Sequence, residues 1–505
     1  MESTQANLYN KPFAEIQPFA TEFSDGEALP KTKTANPSAK VDSDPPSQDD
    51  TDGNNNTGVD GKAKEETQRR KDPLFQERES LLTVALREPN TMATFSVLLS
   101  IPVLMAGTHA LHAAIDARVF WRDVSMLAFL VRDWQVFFAL LLLMTSSMTA
   151  LLLPATLLWS RGWIGTRSLA LPVAASVACV VAAATYGLTR SDLSPPLRLA
   201  LLLETTRHLM KLVSFVCEKV SLGRRRGDVS LHSFLYFMFA PTLVYRESYP
   251  RTRAEQGTRV ALALFNACFY FALLIAAAAP VYWAADACLA TGVTRVSRQQ
   301  LVHLLMLAHV AGFLMNAAIG FAFLHAYSNA AAEVLRFADR GFYANWWTAG
   351  NVYESLRHWN AIVTRWLKAY VQRPVLRLTR SHTTAVLSVL VVSGVAHDAI
   401  LSLASGFLLP TFTLALLLLI PLSPLIPPFM TCLARLPLPP SNMCNILSYV
   451  LPSGLTAAFA FAEYRARRDP SCPAPAYVPQ QPRLDYLIDL LVPRLASCFS
   501  IDWDA

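Results

Sequence analysis

Apolar residues along this chain come in long blocks rather than in alternation. Past residue 90, blocks of roughly 20 mostly apolar residues recur, each longer than the ~18 needed to suggest a membrane-spanning helix. Hydropathy places about nine candidates, near 91–113, 134–159, 168–187, 199–220, 260–284, 301–327, 383–403, 406–424 and 444–463. The pattern predicts an all-α, polytopic integral membrane protein. The fourth candidate, LALLLETTRHLMKLVSFVCEKV, is unlike the others. It carries Glu204, Arg207 and Lys211 on neighbouring turns, which places them on one helix face. Such a helix either faces the protein interior or lies flat in the membrane interface.

The polar remainder divides the chain. Residues 1–74 hold DSDPPSQDDTDGNNNTG at their centre. They cannot bury enough apolar surface to offset chain entropy, so a disordered cytosolic tail is expected. Residues 75–90 read as an amphipathic helix leading to the membrane. The membrane domain is then 75–464, and 465–505 form a C-terminal tail. Residues 1–30 lack the basic start and apolar core of a cleavable signal, so targeting is expected from the first spanning helix.

Composition agrees with this division. Of 505 residues, 53% are hydrophobic and 16% charged, less charge than a soluble chain carries. The net charge of +7 is modest, and its distribution fits membrane topology rather than nucleic-acid binding. With the N-terminus in the cytosol, both long arginine-rich loops fall on the cytosolic side. One holds Arg224, Arg225, Arg226, Arg246, Arg251 and Arg253, and the other runs from Arg336 to Arg380. The same count puts the C-terminus in the lumen. Eight cysteines are scattered without CxxC or metal-ligand spacing. Cys179 and Cys268 lie in apolar runs and read as packing residues.

Candidate chemistry gathers between Gly341 and Leu403. GFYANWW is followed by ESLRHWN, a basic bridge and an apolar helix containing SGVAH. His397 is an ionisable residue within an apolar run, a costly placement that marks a substrate or proton path by default. The bland alternative is a packing histidine bonded to a backbone carbonyl. Ser393 lies one turn earlier on the same face. The aromatics Phe342, Tyr343, Trp346 and Trp347 suit a water–lipid interface, and that belt is the plain reading of them. His303, His309 and His325 read as structural or lining residues.

The wording and order of these elements are similar to the membrane-bound O-acyltransferase superfamily, in its acyl-CoA:cholesterol and acyl-CoA:diacylglycerol branch. FYANWW resembles FYxDWWN, Trp359-Asn360 the WN pair that follows, and Ser393…His397 the SxxxH of a hydrophobic helix. Four positions depart from the pattern: Asn345 for Asp, Thr348 for Asn, Thr364 for His and Asp398 for Glu. FMFAPTLVYRESYPRT, the fourth helix and the tail resemble the sterol branch in particular, so the resemblance covers about residues 75–505.

The resemblance implies a fold enclosing a catalytic tunnel, and acyl transfer from acyl-CoA to a hydroxyl, here a sterol's, forming steryl esters for storage. His397 would be the base and Asn360 the oxyanion donor or acyl holder. Phe342, Tyr343, Asn345, Trp346, Trp347, Arg357, Trp359 and Ser393 would contact acyl-CoA or substrate. It also implies an endoplasmic reticulum membrane location, a homodimer or higher oligomer, membrane lipid as surroundings, and a Cys472–Cys498 disulfide. No metal or other cofactor and no nucleic acid is expected. Two alternatives stand beside it: a diacylglycerol acyltransferase, and a lipid transporter or catalytically silent scaffold.

Overall fold

A computed structural model describes residues 75–222, 230–252, 257–289, 296–349, 352–415, 440–469, 472, 493, 494, 498 and 500–502. The expected tail, 1–74, and most of the expected C-terminal tail lie outside them.

The described chain is almost wholly helical. After a short helix α1 (Leu81–Ala85), α2 (Pro89–Ile115) starts on a proline, whose missing N–H costs nothing in a first turn. Asp116 caps α3 (Ala117–Leu130) by accepting from the Arg118 N–H at 2.8 Å. Next come α4 (Trp134–Ser160), α5 (Ala170–Thr189), α6 (Pro195–Leu222), α7 (Leu231–Phe239) and α8 (Gly257–Cys288). A Ser297/Gln300 capping box opens α9 (Arg298–Ala317), which passes through a π-helical stretch, Ala318–Tyr327, into α10 (Ser328–Leu335). Short helices α11 (Val352–Trp359), α12 (Ala361–Leu367) and α13 (Arg373–Thr379) precede α14 (His382–Ser405) and α15 (Pro440–Ala466), with a π-turn, Lys368–Gln372, joining α12 to α13. A two-residue parallel pairing, Val296–Ser297 with Ile501–Asp502, fastens the C-terminal end beside α9. Cys472 and Cys498 are disulfide-bonded, with Cα atoms 5.2 Å apart.

Among the described residues, six helical stretches are long and apolar enough to cross a membrane: Pro89–Ile115, Ala117–Ser160, Thr166–Thr189, Gly257–Cys288, Arg298–Leu335 and His382–Ser405. These coincide with six of the nine expected spans. The fourth and ninth candidates are helical, as α6 and α15, but fall outside these six. The eighth, 406–424, lies outside the described residues from 416 onward. One correction concerns 75–90, which is not one helix. Leu81–Ala85 forms one short helix and α2 begins at Pro89, while the backbone of Arg78 bonds instead to Ala338 (3.0 Å) and Arg340 (3.1 Å).

α6 explains its own polarity. Lys211 is 1% exposed, and its ammonium donates to the carbonyls of Phe237, Met238 and Ala240 at 2.5, 2.9 and 2.9 Å. These are the acceptors a helix leaves unpaired at its C-terminus, here the end of α7, where a positive charge is also favoured by the helix dipole. Arg207 pairs with Glu204 at 2.6 Å and also donates to the Met238 carbonyl. The polar face therefore points into the bundle, the first of the two readings. Around it packs the largest core cluster, with Met144, Met148, Val180, Leu201, Phe215, Phe234 and Phe237 buried. At the crossing of α9 and α15, Gly312 and Gly454 bring the backbones together. A Cβ on Gly312 would lie 2.6 Å from the Gly454 nitrogen.

Candidate active site

The site is built upward from the end of α10. Arg336 adopts a left-handed conformation (φ 55°) that stops the helix and sends the chain back. The returning strand is tied on both sides by isolated bridges, Arg251 with Phe337 and Arg78 with Asp339. Phe342 then accepts from the Ala361 N–H and Ala344 donates to the His358 carbonyl, both at 2.9 Å. These two bonds lay FYANWW directly against the Trp359-Asn360 turn, although 11 residues lie between Tyr343 and Ser355, near its far end.

Side chains complete the contact. The rings of Trp346 and Trp359 meet edge-to-face at 4.4 Å, and Trp359 stacks on Tyr449 of α15 at 5.6 Å. Both tryptophans pass over Gly320 in the π-helical stretch, where a Cβ would only just touch them, at 3.7 and 3.9 Å. Phe342 and Tyr343 are buried rather than interfacial. Burial pushes the Tyr343 phenol up to about 12, so it stays protonated and able to donate. Its oxygen lies 2.7 Å from His325 Nδ1 and 3.0 Å from Ser80 Oγ. His325 therefore touches the motif itself, which goes beyond a packing or lining residue. His309 is of the plain kind, bonded by Nδ1 to the Leu305 carbonyl of its own helix at 2.6 Å.

Asn360 caps α12: its Oδ1 accepts from the Val363 N–H at 3.2 Å. The cap engages the acceptor end of the amide and leaves the NH2 end for a ligand. Asn345 and Thr348, two of the departures from the family pattern, are exposed and bonded to each other within one turn. Thr364 donates to the Arg357 carbonyl at 3.2 Å. Arg357 is exposed, and with Arg373 it forms a basic cluster around Lys368. Partial burial, then these two charges, push Lys368 below the ordinary lysine range.

His397 stands apart from this assembly. It projects from α14, whose buried face carries Gly394, Asp398 and Ser402, and lies about 100° round the helix from Asp398. Its ring is exposed among the described residues. Nδ1 lies 2.7 Å from the Ser393 carbonyl and 3.5 Å from Ser393 Oγ. A carbonyl can only accept, so Nδ1 carries the proton and Nε2 presents a lone pair. This is the carbonyl bond of the bland alternative, and it also leaves Nε2 as the ring nitrogen available to act as a base. Asp398 uses both oxygens to accept from the Phe412 and Thr413 N–H groups, at 2.8 and 2.7 Å. Phe412 thereby lies over His397, with ring centres 4.6 Å apart. Among the described residues no hydrogen bond joins His397 to Asn360, and no group of three His, Cys, Asp or Glu side chains could hold a metal ion.

Sequence reasoning missed a buried ionic cluster. Asp339, with a fully buried carboxylate, accepts from Arg78 at 2.6 Å and from Arg365 at 3.3 Å. Arg365 also donates to the Gly341 carbonyl at 2.6 Å. An acid three residues before the start of FYANWW is the one local signal. Its partners lie 261 and 26 residues away and carry none.

Residues 198–448 match the family described as MBOAT, membrane-bound O-acyltransferase family, which supports membership of that superfamily. Within it the chain is kin to sterol acyltransferase-type enzymes. It is 37% identical over 274 residues to sterol O-acyltransferase 2 of Homo sapiens, covering 52% of each chain. The mouse protein of that name (Mus musculus) is 34% identical over 297 residues, 54% of each chain. Sterol O-acyltransferase 1 of Rattus norvegicus is 33% identical over 244 residues, 45% of this chain and 43% of that one. The chain thus spans about half the length of the curated relatives it matches.

Proposed function

We propose that this chain is an acyl-CoA-dependent O-acyltransferase that esterifies a sterol hydroxyl. The observation that carries this reading is His397 with its tautomer set by the Ser393 carbonyl, in a chain that also packs FYANWW against Trp359-Asn360. An alcohol is a weak nucleophile at neutral pH and needs a base. His397 Nε2 takes the hydroxyl proton as the sterol oxygen attacks the thioester carbonyl. The amide NH2 of Asn360 donates to the developing oxyanion. The carbon–sulfur bond then breaks, and the imidazolium returns its proton to the departing coenzyme A thiolate. Arg357 and Lys368 are suited to the phosphates of coenzyme A. The tryptophans with Phe342 and Tyr343 wall the acyl path, in a tunnel that the bundle would enclose.

Exposure of Asn345 and Thr348 supports an active enzyme, since both departures sit on the outer side of the loop. The Cys472–Cys498 bond supports a lumenal C-terminus in the endoplasmic reticulum, because disulfides persist in oxidising compartments. Sterol preference is supported by kinship with sterol O-acyltransferases and by the YRESYPR segment. Its Tyr249 donates to the Val244 carbonyl at 2.9 Å and packs 5.3 Å from Phe75. Purified protein given equal sterol and diacylglycerol with one labelled acyl-CoA tests the reading. Label in steryl ester is expected. Label in triacylglycerol would move the acceptor assignment, and no ester of either kind would remove the enzyme reading.

A further inference from the structure

The segment before the membrane and the loop before FYANWW are joined more densely than a linker needs. Arg78 pairs by backbone with Ala338 and Arg340, and its guanidinium grips both oxygens of Asp339, at 2.6 and 3.3 Å. Asp339 is 1% exposed and also accepts from the Gly341 N–H at 3.1 Å. From the far side Arg365 of α12 reaches Asp339 and the Gly341 carbonyl. One buried carboxylate therefore binds three pieces of chain: the pre-membrane segment, the FYANWW loop and the helix that Asn360 caps. Gly341 is part of the fit, because a Cβ there would overlap the Arg78 guanidinium. Two residues beyond Arg78, Ser80 is 1% exposed and bonds both Tyr343 and His325, so the same segment holds the loop at a second point. Phe75 packs edge-on against Tyr249 and Phe337 and anchors its start.

The charges make this specific. Burial pushes the Arg365 guanidinium down and Asp339 pushes it back up, so the pair depends on the carboxylate being present. A buried carboxylate that loses one of two cationic partners is left undercompensated. None of these atoms reaches Asn360 or His397, so their effect on chemistry would pass through the backbone that carries Asn360.

We propose that Arg78, Asp339 and Arg365 form an ionic clasp whose role is to position the Asn360 turn against FYANWW, making the segment Phe75–Ser80 a working part of the acyl-transfer site. The proposal rests on the acyltransferase reading for its catalytic consequence, though not for the clasp itself.

The test compares full-length protein in lipid nanodiscs with four variants, Arg78→Ala, Arg78→Lys, Gly341→Ala and the surface control Arg87→Ala. Arg78 suits truncation because 45% of its side chain is already exposed, so the fold is not asked to absorb a new cavity. Amide hydrogen exchange is read across 338–349 and 358–364, and turnover is read beside the KM for acyl-CoA. In Arg78→Ala and Gly341→Ala, exchange in those two stretches rises by about tenfold or more, as expected on losing a charged hydrogen bond. Turnover falls by about 10²-fold, the scale of a misplacement remote from the reacting atoms, while KM stays within about twofold. Arg78→Lys, which keeps the charge, recovers most of both, and Arg87→Ala changes neither.

Unchanged exchange at 358–364 in Arg78→Ala overturns the clasp. Wild-type turnover despite raised exchange overturns its positioning role, as does a lysine variant no better than alanine. Wild-type protein that esterifies neither acceptor counts against the acyltransferase reading instead, and exchange alone then decides the clasp.

Discussion

The loop from Asp339 to Asn360 and the helix α14 carry the two halves of the proposed chemistry, and they are held in opposite ways. Before the short helix α11 the loop holds a single 3-10 turn, Trp346–Thr348. It keeps its shape through partners from elsewhere: Arg78 and Ser80 before the membrane, His325 in the π-helical stretch, Arg365 in α12 and Tyr449 in α15. His397 needs almost none of this. Its orientation comes from the carbonyl one turn back and from Phe412, which Asp398 holds in place. A helix supplies the base with a ready tautomer. An irregular loop can supply an oriented amide only if the fold braces it. Damage to the base should therefore remove activity and spare the fold, whereas damage to the loop should disturb both.

The largest effect belongs to His397→Ala. Turnover should fall by about 10³-fold or more, within the span of general-base contributions. The exposed ring should leave unfolding free energy within about 0.5 kcal/mol of wild type. Near wild-type turnover in folded protein would break the mechanism, and a large loss of stability would break the comparison.

Asn360 separates the two roles that one amide plays. Asn360→Asp keeps the oxygen that accepts from Val363 and removes the NH2 donor. Turnover should drop ~10²-fold, as on losing an oxyanion donor, with the melting temperature nearly unchanged. Asn360→Ala should lose the cap as well, at about 1 kcal/mol. Equal turnover in the Asp variant and wild type would leave Asn360 as a cap alone.

Tyr343→Phe probes bracing without touching the acyl path's shape. It removes the hydroxyl shared by His325 and Ser80, and about 1 kcal/mol should go with it. Chemical denaturation of the two proteins side by side would show this. No shift at all would mean that Ser80 and His325, 3.1 Å apart, hold the loop without the phenol.

The smallest effect is expected from restoring the family's own residues. Asn345→Asp and Thr348→Asn change exposed side chains, so stability should move by less than about 0.5 kcal/mol. Turnover should stay at the wild-type level. A clear gain in turnover would show that the outer side of the loop meets substrate after all.

Much of this architecture can be read from residue order. Long apolar blocks dictate spanning helices because no other structure except a closed barrel satisfies the backbone in lipid. Six of the expected spans rest on that alone. The one-sided charges of α6 were legible too, since helical period places Glu204, Arg207 and Lys211 together. The same is true of the FYANWW, WN and SxxxH elements, which are local words. Whether α6 turned its charges inward was not legible, because the answer lies in the open carbonyls at the end of α7, a separate segment. The exposure of His397 was likewise hidden. Hydropathy averages over a helix and does not say which face packs, and α14 packs through Gly394, Asp398 and Ser402.

The Asp339 clasp lay furthest from view. Composition determines which solvent a segment prefers, and spacing determines which side chains share a face, since both follow from properties of neighbouring residues. The pairing of Asp339 with Arg78, 261 residues away, depends on where every helix between them comes to rest. A buried carboxylate must find cationic or N–H partners wherever packing presents them. Only the assembled tertiary structure brings Arg78 and Arg365, from such different distances along the chain, to the same side chain.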